Sequence, residues 1–206
     1  LLSAAEDKNL LCGGKRHDGR SLAGRRRLQS RRKATDVMVE LIHSAQRAGI
    51  TAKFVLFDSW FSAPKTILEL KKQEHLDTIA MMKKSKTKYG YQGERLNVKE
   101  IYSRNKKRRG RSRYLLSVLV EIEKDGERIP AKLVFVRNKS KRKDWLVLVS
   151  TDISISEEEI IRIYGKRWDI EVFFKACKSY LKLVKEYRGI SYDAMCAHVS
   201  IVFARY

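Results

Sequence analysis

Two short runs, Phe54-Val55-Leu56-Phe57 and Thr78-Ile79-Ala80-Met81-Met82, are apolar without alternation and bounded by polar residues. A strand that is hydrophobic on both sides needs cover on both faces, the condition of a central strand in an α/β layer. Between the runs, Ser62 and Pro64 resemble a helix start leading into Ile67, Leu68 and Leu70. Strand, helix and strand in this order predict an α/β unit with Asp58 at the carboxyl end of its first strand. That edge is where open α/β sheets place their chemistry. Upstream, Val37, Leu41, Ala45 and Ala48 recur at helical spacing, and Gly49 supplies a stop.

Beyond the second run the pattern changes. From about Lys83 to Arg113 the chain is intensely basic and reads as an exposed loop or arm, culminating in Lys106-Lys107-Arg108-Arg109-Gly110-Arg111. Tyr114 to Ile122, Ala131 to Val136 and Trp145 to Ser150 then read as strands, with Asp125-Gly126 as a hairpin signal. This predicts an antiparallel β insertion. Ser156-Glu157-Glu158-Glu159 is a helix N-terminus with carboxylates at the favourable end of the dipole, and a long helix to about Leu183 is expected from it.

Charge narrows the partner. Over 206 residues, 45 Lys and Arg against 24 Asp and Glu leave a net +21, and 43% hydrophobic residues allow a core. A basic folded domain of this kind points to a polyanion, and nucleic acid fits because each neutralised phosphate releases counterions. No apolar run approaches a membrane span. Cys12, Cys177 and Cys196 have no CxxC spacing, so they read as buried thiols of a reducing interior. His17, His43, His75 and His198 form no metal-ligand spacing. Residues 13 to 33, rich in Gly and Arg, read as a polar loop. Leu1 in place of Met, and the apolar stretch from Met195 to Phe203 close to Tyr206, lead us to expect part of a longer protein.

With about 100° of turn per residue, Arg167, Trp168, Glu171, Lys175 and Lys178 all fall within about 60° of Tyr164 on an uninterrupted helix. Ile161, Ile163, Ile170, Val172, Phe173, Phe174 and Leu181 surround that stripe, which therefore reads as the lining of a cleft. A carboxylate among Arg, Lys, Tyr and Trp suits a divalent cation next to a nucleic-acid backbone: the metal takes oxygen ligands, phosphates take cationic forks, and an unstacked base takes an aromatic platform.

Tyr164, Arg167, Glu171 and Lys178, spaced Y-x2-R-x3-E-x6-K, together with Phe57-Asp58-Ser59-Trp60-Phe61, resemble the DDE transposases of the IS4 insertion-sequence family over essentially the whole chain. The resemblance implies an RNase H-like α/β core with an antiparallel β insertion before the last catalytic helix and amino-terminal core strands missing. Residues 1–87 would be core carrying the second Asp, 88–150 the basic β-rich insertion, and 151–206 the completion of the core with the Glu-bearing helix. It implies cut-and-paste DNA transposition by two-metal phosphoryl transfer, with Mg2+ as cofactor and Mn2+ as a substitute. Asp58 and Glu171 would be catalytic and metal-binding. Arg167 and Lys178 would grip phosphates, Tyr164 would orient a terminal phosphate, and Lys175 lies on the same DNA-facing stripe. Trp145, assisted by Trp168, would stack a flipped base. The partners would be double-stranded DNA, at transposon ends and target, and a second copy in a homodimer on that DNA, in the prokaryotic cytoplasm with the nucleoid and away from membranes. The family's first Asp has no counterpart here, since Asp7 and Asp18 sit in polar sequence and Asp36 reads as a helix cap. The chain alone is therefore expected to be inactive.

Other readings attach to the same residues. Arg167 and Glu171 alone would be an exposed i,i+4 ion pair worth a few tenths of a kcal/mol. Asp58 alone would be a strand-terminal turn residue. Trp60, Trp145 and Trp168 could be core, and for Trp60 that is the expectation. At the level of the molecule the alternatives are a non-catalytic DNA-binding remnant of a decayed insertion sequence and a basic RNA-binding module.

Overall fold

The computed structural model describes residues 32–138, 141, 144–183 and 191–206. The Gly- and Arg-rich stretch up to Arg31, with Asp7, Cys12, His17 and Asp18, lies outside the described residues. The described residues divide into two compact units: Val39–Trp168 is one, and the other comprises residues from Asp169–Tyr206 together with residues 32–38.

The larger unit is built on one mixed sheet of seven strands. In chain order its elements are the greater part of α1 (Ala34–Arg47), β1 (Phe54–Phe57), α2 (Pro64–Lys72), β2 (Asp77–Met81), β3 (Lys88–Tyr91), β4 (Glu94–Asn97), α3 (Val98–Arg104), β5 (Tyr114–Lys124), β6 (Glu127–Arg137), β7 (Trp145–Ser150) and α4 (Glu157–Gly165). The sheet order is β1-β2-β7-β6-β5-β3-β4. β1 and β2 are parallel, with Phe54 opposite Asp77, and every other pairing is antiparallel. This is a mixed α/β fold of the RNase H-like kind, and the inserted strands extend the same sheet as the parallel pair.

The physical causes are local and specific. Thr78, Ile79 and Ala80 are fully buried, so β2 is covered on both faces, as its unalternated apolar run requires. Ile79, Tyr114, Val134, Leu148, Ile160 and Ile163 form one cluster that seats α4 on the sheet. α1 closes as a Schellman motif: Gly49 adopts φ +85°, its N–H donates to Gln46 O, and Ile50 N–H donates to Ala45 O. Asp125 and Gly126 both take positive φ between paired Lys124 and Glu127, the two-residue turn that matches strand twist. α4 starts at the expected cap, with Ser156 Oγ accepting from Glu159 N–H.

Three expectations are corrected. Within the stretch from Lys83 to Arg113, β3, β4 and α3 are regular elements that bury Tyr89, Tyr91, Leu96, Val98 and Ile101, while residues 105–113 lie outside helix and strand, as a loop reading expects. In the two strands Lys88 and Arg95 each stand next to a buried residue, Tyr89 and Leu96, so the charge hid the inward-facing positions. The long helix is broken, because α4 ends at Gly165 and α5 (Trp168–Ser179) begins after Lys166 and Arg167. Glycine is the weakest ordinary helix former, and the N–H of Lys166 turns back to Ile163 O and Tyr164 O. The helix expected from Val37 onward forms as α1, with Val39 buried and Leu41 61% exposed; it also makes polar contacts, Gln46 Nε2 donating to Glu74 O and His43 Nδ1 lying 3.2 Å from Glu74. Trp60 is not core; it is 67% exposed.

In the smaller unit, α5 and α6 (Tyr192–Arg205) carry an aromatic cluster in which Phe173 meets Phe174, Phe203 and Tyr206 edge-on. Cys177 is buried there and Cys196 is half-buried. No helix among the described residues is long and apolar enough to cross a membrane.

Candidate active site

Asp58 directly follows β1, and its carboxylate is oriented by its own turn: the backbone N–H of Trp60 donates to Asp58 Oδ1 at 2.8 Å. Ser62 Oγ donates to Ser59 O and tightens the same corner, leaving α2 to start on Pro64 without a side-chain cap. Since β1 and β2 are parallel, the residues after Met81 leave the sheet at the same edge as Asp58. β7 is antiparallel to β2, with Met81 opposite Leu148, so Trp145 at its start also falls on that edge.

The edge is both cationic and aromatic. Lys83 Nζ stands 4.8 Å from the Trp60 ring centroid, and Lys84 Nζ stands 4.1 Å from that of Trp145. Trp145 is stacked on Tyr102 at 4.4 Å and 21°, and Lys107 Nζ lies 4.5 Å over Tyr102. Lys84 also pairs with Asp144, and hydrogen bonds from Lys84 and from the backbone N–H of Trp145 hold the Asp144 carboxyl below its ordinary range. The arrangement brings a carboxylate, lysine cations and aromatic surfaces to one end of the strands, groups that are chemically suited to contact with a nucleic-acid backbone and its bases.

The break after Gly165 divides the predicted stripe. Tyr164 and Arg167 belong to the larger unit, where Tyr164 packs on the α4 cluster and the Arg167 guanidinium lies 5.8 Å from the Tyr164 ring centroid. Glu171, Lys175 and Lys178 lie on α5 in the smaller unit, all exposed and at i, i+4 and i+7, so these three do share one helix face. Trp168, at the start of α5, is 61% exposed. The rotation count from Tyr164 does not carry across two turn residues.

Sequence reasoning missed the Lys83–Trp60 pair and the Tyr102–Trp145 stack. A signal was present: Lys83-Lys84 directly follows the second apolar run, as Asp58 follows the first.

A mixed α/β sheet with a carboxylate directly after its parallel edge strand β1, and with Trp60, Lys83, Lys84 and Trp145 at the same end of the strands, is a domain of RNase H-like fold. The chain belongs to the transposase DDE domain family, which it matches over residues 27–191. No curated protein sequence matches it. Among solved structures it is similar to the cryo-EM structure of the piggyBac transposase synaptic complex with hairpin DNA, with a TM-score of 0.50 and 15% identity. That likeness covers 88% of this chain and is one of fold. It covers 34% of the other chain, so the present chain spans about a third of its length.

Asp58 in the larger unit and Glu171 in the smaller each offer hard carboxylate oxygens, the kind of ligand Mg2+ takes. Among the described residues, no three His, Cys, Asp or Glu side chains form a metal-holding group.

Proposed function

We propose that the protein is an insertion-sequence transposase of the IS4 type that cuts and rejoins double-stranded DNA at element ends. The observation that carries this reading is Asp58 at the carboxyl end of β1, inside a transposase DDE domain. Asp58 and Glu171 would hold Mg2+, or Mn2+ in its place, and act as the catalytic carboxylates. Cations held by these two carboxylates would supply charge stabilisation for an attacking water or 3′-hydroxyl and for the leaving oxygen. Arg167, Lys175 and Lys178 hold phosphates, Tyr164 orients a terminal phosphate, and Trp145 and Trp168 contact the DNA ends. Residues 1–87 and 151–206 serve as catalytic core and 88–150 as an insertion that extends the sheet. The complete protein works as a homodimer on its DNA, in the prokaryotic cytoplasm.

The present 206 residues alone do not complete the metal set in this reading. The complete protein is therefore the one to assay. Asp58→Ala and Glu171→Ala each abolish Mg2+-dependent strand cleavage while leaving DNA affinity within about twofold, since neither carboxylate attracts phosphate. Cleavage surviving Glu171→Ala overturns the assignment of that residue. Cleavage unchanged in both variants removes the catalytic reading and leaves a DNA-binding domain.

A further inference from the structure

Trp60 is a large aromatic ring left 67% exposed within two residues of a carboxylate it helps to orient. A ring of that size costs free energy in water unless something covers it, and nothing in the turn requires an indole. Its backbone N–H is fixed on Asp58 Oδ1, so the ring's point of attachment moves with Asp58. Lys83 Nζ stands over the ring at 4.8 Å, on a residue whose side chain is itself exposed. The neighbouring Lys84 and Trp145 are a different case. Trp145 already carries Tyr102 against its ring, and Lys84 is engaged with Asp144. Along this edge, Trp60 is the more accessible indole.

We infer that Trp60 and Lys83 form a binding site for one unpaired nucleotide, with the base stacked on the Trp60 indole and its phosphate held by Lys83. Every base has a π-face, so such a platform accepts any base, and it is useful only where a strand has left the duplex. A site of this kind selects DNA ends that are frayed or already cut and places them beside Asp58. The inference rests on the proposed DNA chemistry of the same edge and adds a residue outside the Y-x2-R-x3-E-x6-K pattern.

The test uses two labelled DNA probes, a blunt duplex and the same duplex with a short 3′ overhang containing 2-aminopurine, whose fluorescence is quenched by stacking. The protein is expected to bind the overhang probe more tightly and to quench it. Trp60→Ala removes the quenching and weakens overhang binding about tenfold, a loss confined to that probe. Trp60→Phe keeps most of both effects, because a flat ring remains. Lys83→Gln lowers the salt dependence of overhang binding by about 0.7 in log–log slope, one phosphate's worth on a single strand. Equal binding of both probes by the unsubstituted protein, or an equal loss on both with Trp60→Ala, overturns the Trp60 assignment and leaves the DNA reading standing. Failure to bind either probe overturns both.

Discussion

At the scale of single residues, Asp152 is held both by a neighbour close in sequence and by one far from it. Asp152 follows β7, where the Ser154 hydroxyl and backbone N–H both donate to Oδ1 and Lys53 Nζ lies 3.1 Å from Oδ2. The Ser154 hydroxyl is the main cause that brings the carboxyl from 3.8 down to about 2, and Lys53 adds to it against the opposing effect of burial. A carboxyl whose folded pKa lies below its unfolded value binds more protons when unfolded, so stability rises with pH in that interval. The contribution of Asp152 is therefore complete above about pH 4 and lost as pH falls toward 2. Carbon-detected NMR of the Asp152 carboxyl is expected to show a midpoint near 2. In Ser154→Ala the midpoint moves up toward the ordinary value, and acid unfolding starts at higher pH. A midpoint unmoved by that substitution would show that the Ser154 backbone N–H and Lys53 set it without the hydroxyl.

Elements show where the sequence was legible and where it was not. β1, β2, β5, β6 and β7 were readable because their apolar runs are either unbroken or joined by a turn of fixed chemistry, as at Asp125-Gly126. Asp58 was readable for the same reason: it interrupts such a run abruptly. The β3-β4-α3 segment was not, because it lies between the basic clusters at Lys83–Lys88 and Lys106–Arg111 and carries Lys88, Arg95, Lys99 and Arg104 itself, while Tyr89, Tyr91, Leu96 and Ile101 carry its packing. Long cationic stems lie outward and leave the alternating residues to the core. The break between α4 and α5 was overlooked because carboxylates at Glu157 to Glu159 mark where a helix starts and say nothing about where it stops. A cap that does state its position is Asn97, whose side chain accepts from Lys99 and Glu100 N–H while Glu100 Oε2 accepts from Asn97 N–H. Asn97→Ala is expected to cost about 1 kcal/mol in denaturant unfolding. Asn97→Asp should retain nearly all of it, because an oxygen remains in place for both donors. A loss well under the expected value would mean that the burial of Val98 and Ile101 alone fixes α3.

For the whole molecule the governing quantity is the excess of 21 positive charges, the difference between 45 Lys and Arg and 24 Asp and Glu. Such an excess repels itself in the folded state, so it persists at a cost that a polyanion relieves. The segment from Lys106 to Arg111 separates cations that serve the fold from those that face solvent. Lys107 lies over Tyr102; Arg108 lies 4.4 Å over Tyr114, and its backbone N–H donates to Leu115 O; Arg137 holds Gly110 O. Lys106, Arg109 and Arg111 are exposed. Changing these three to Gln should therefore leave the melting temperature unchanged and weaken duplex binding, with each lost phosphate contact lowering the log–log salt slope by about 0.9. Changing Lys107 and Arg108 instead should lower the melting temperature through lost packing on Tyr102 and Tyr114. Titrating a labelled duplex across a range of salt concentrations distinguishes the two sets. A slope unaltered by the first would make Lys106, Arg109 and Arg111 a solvated face. A reduced slope at constant melting temperature would place DNA along the inserted strands as well as at the edge that carries Asp58.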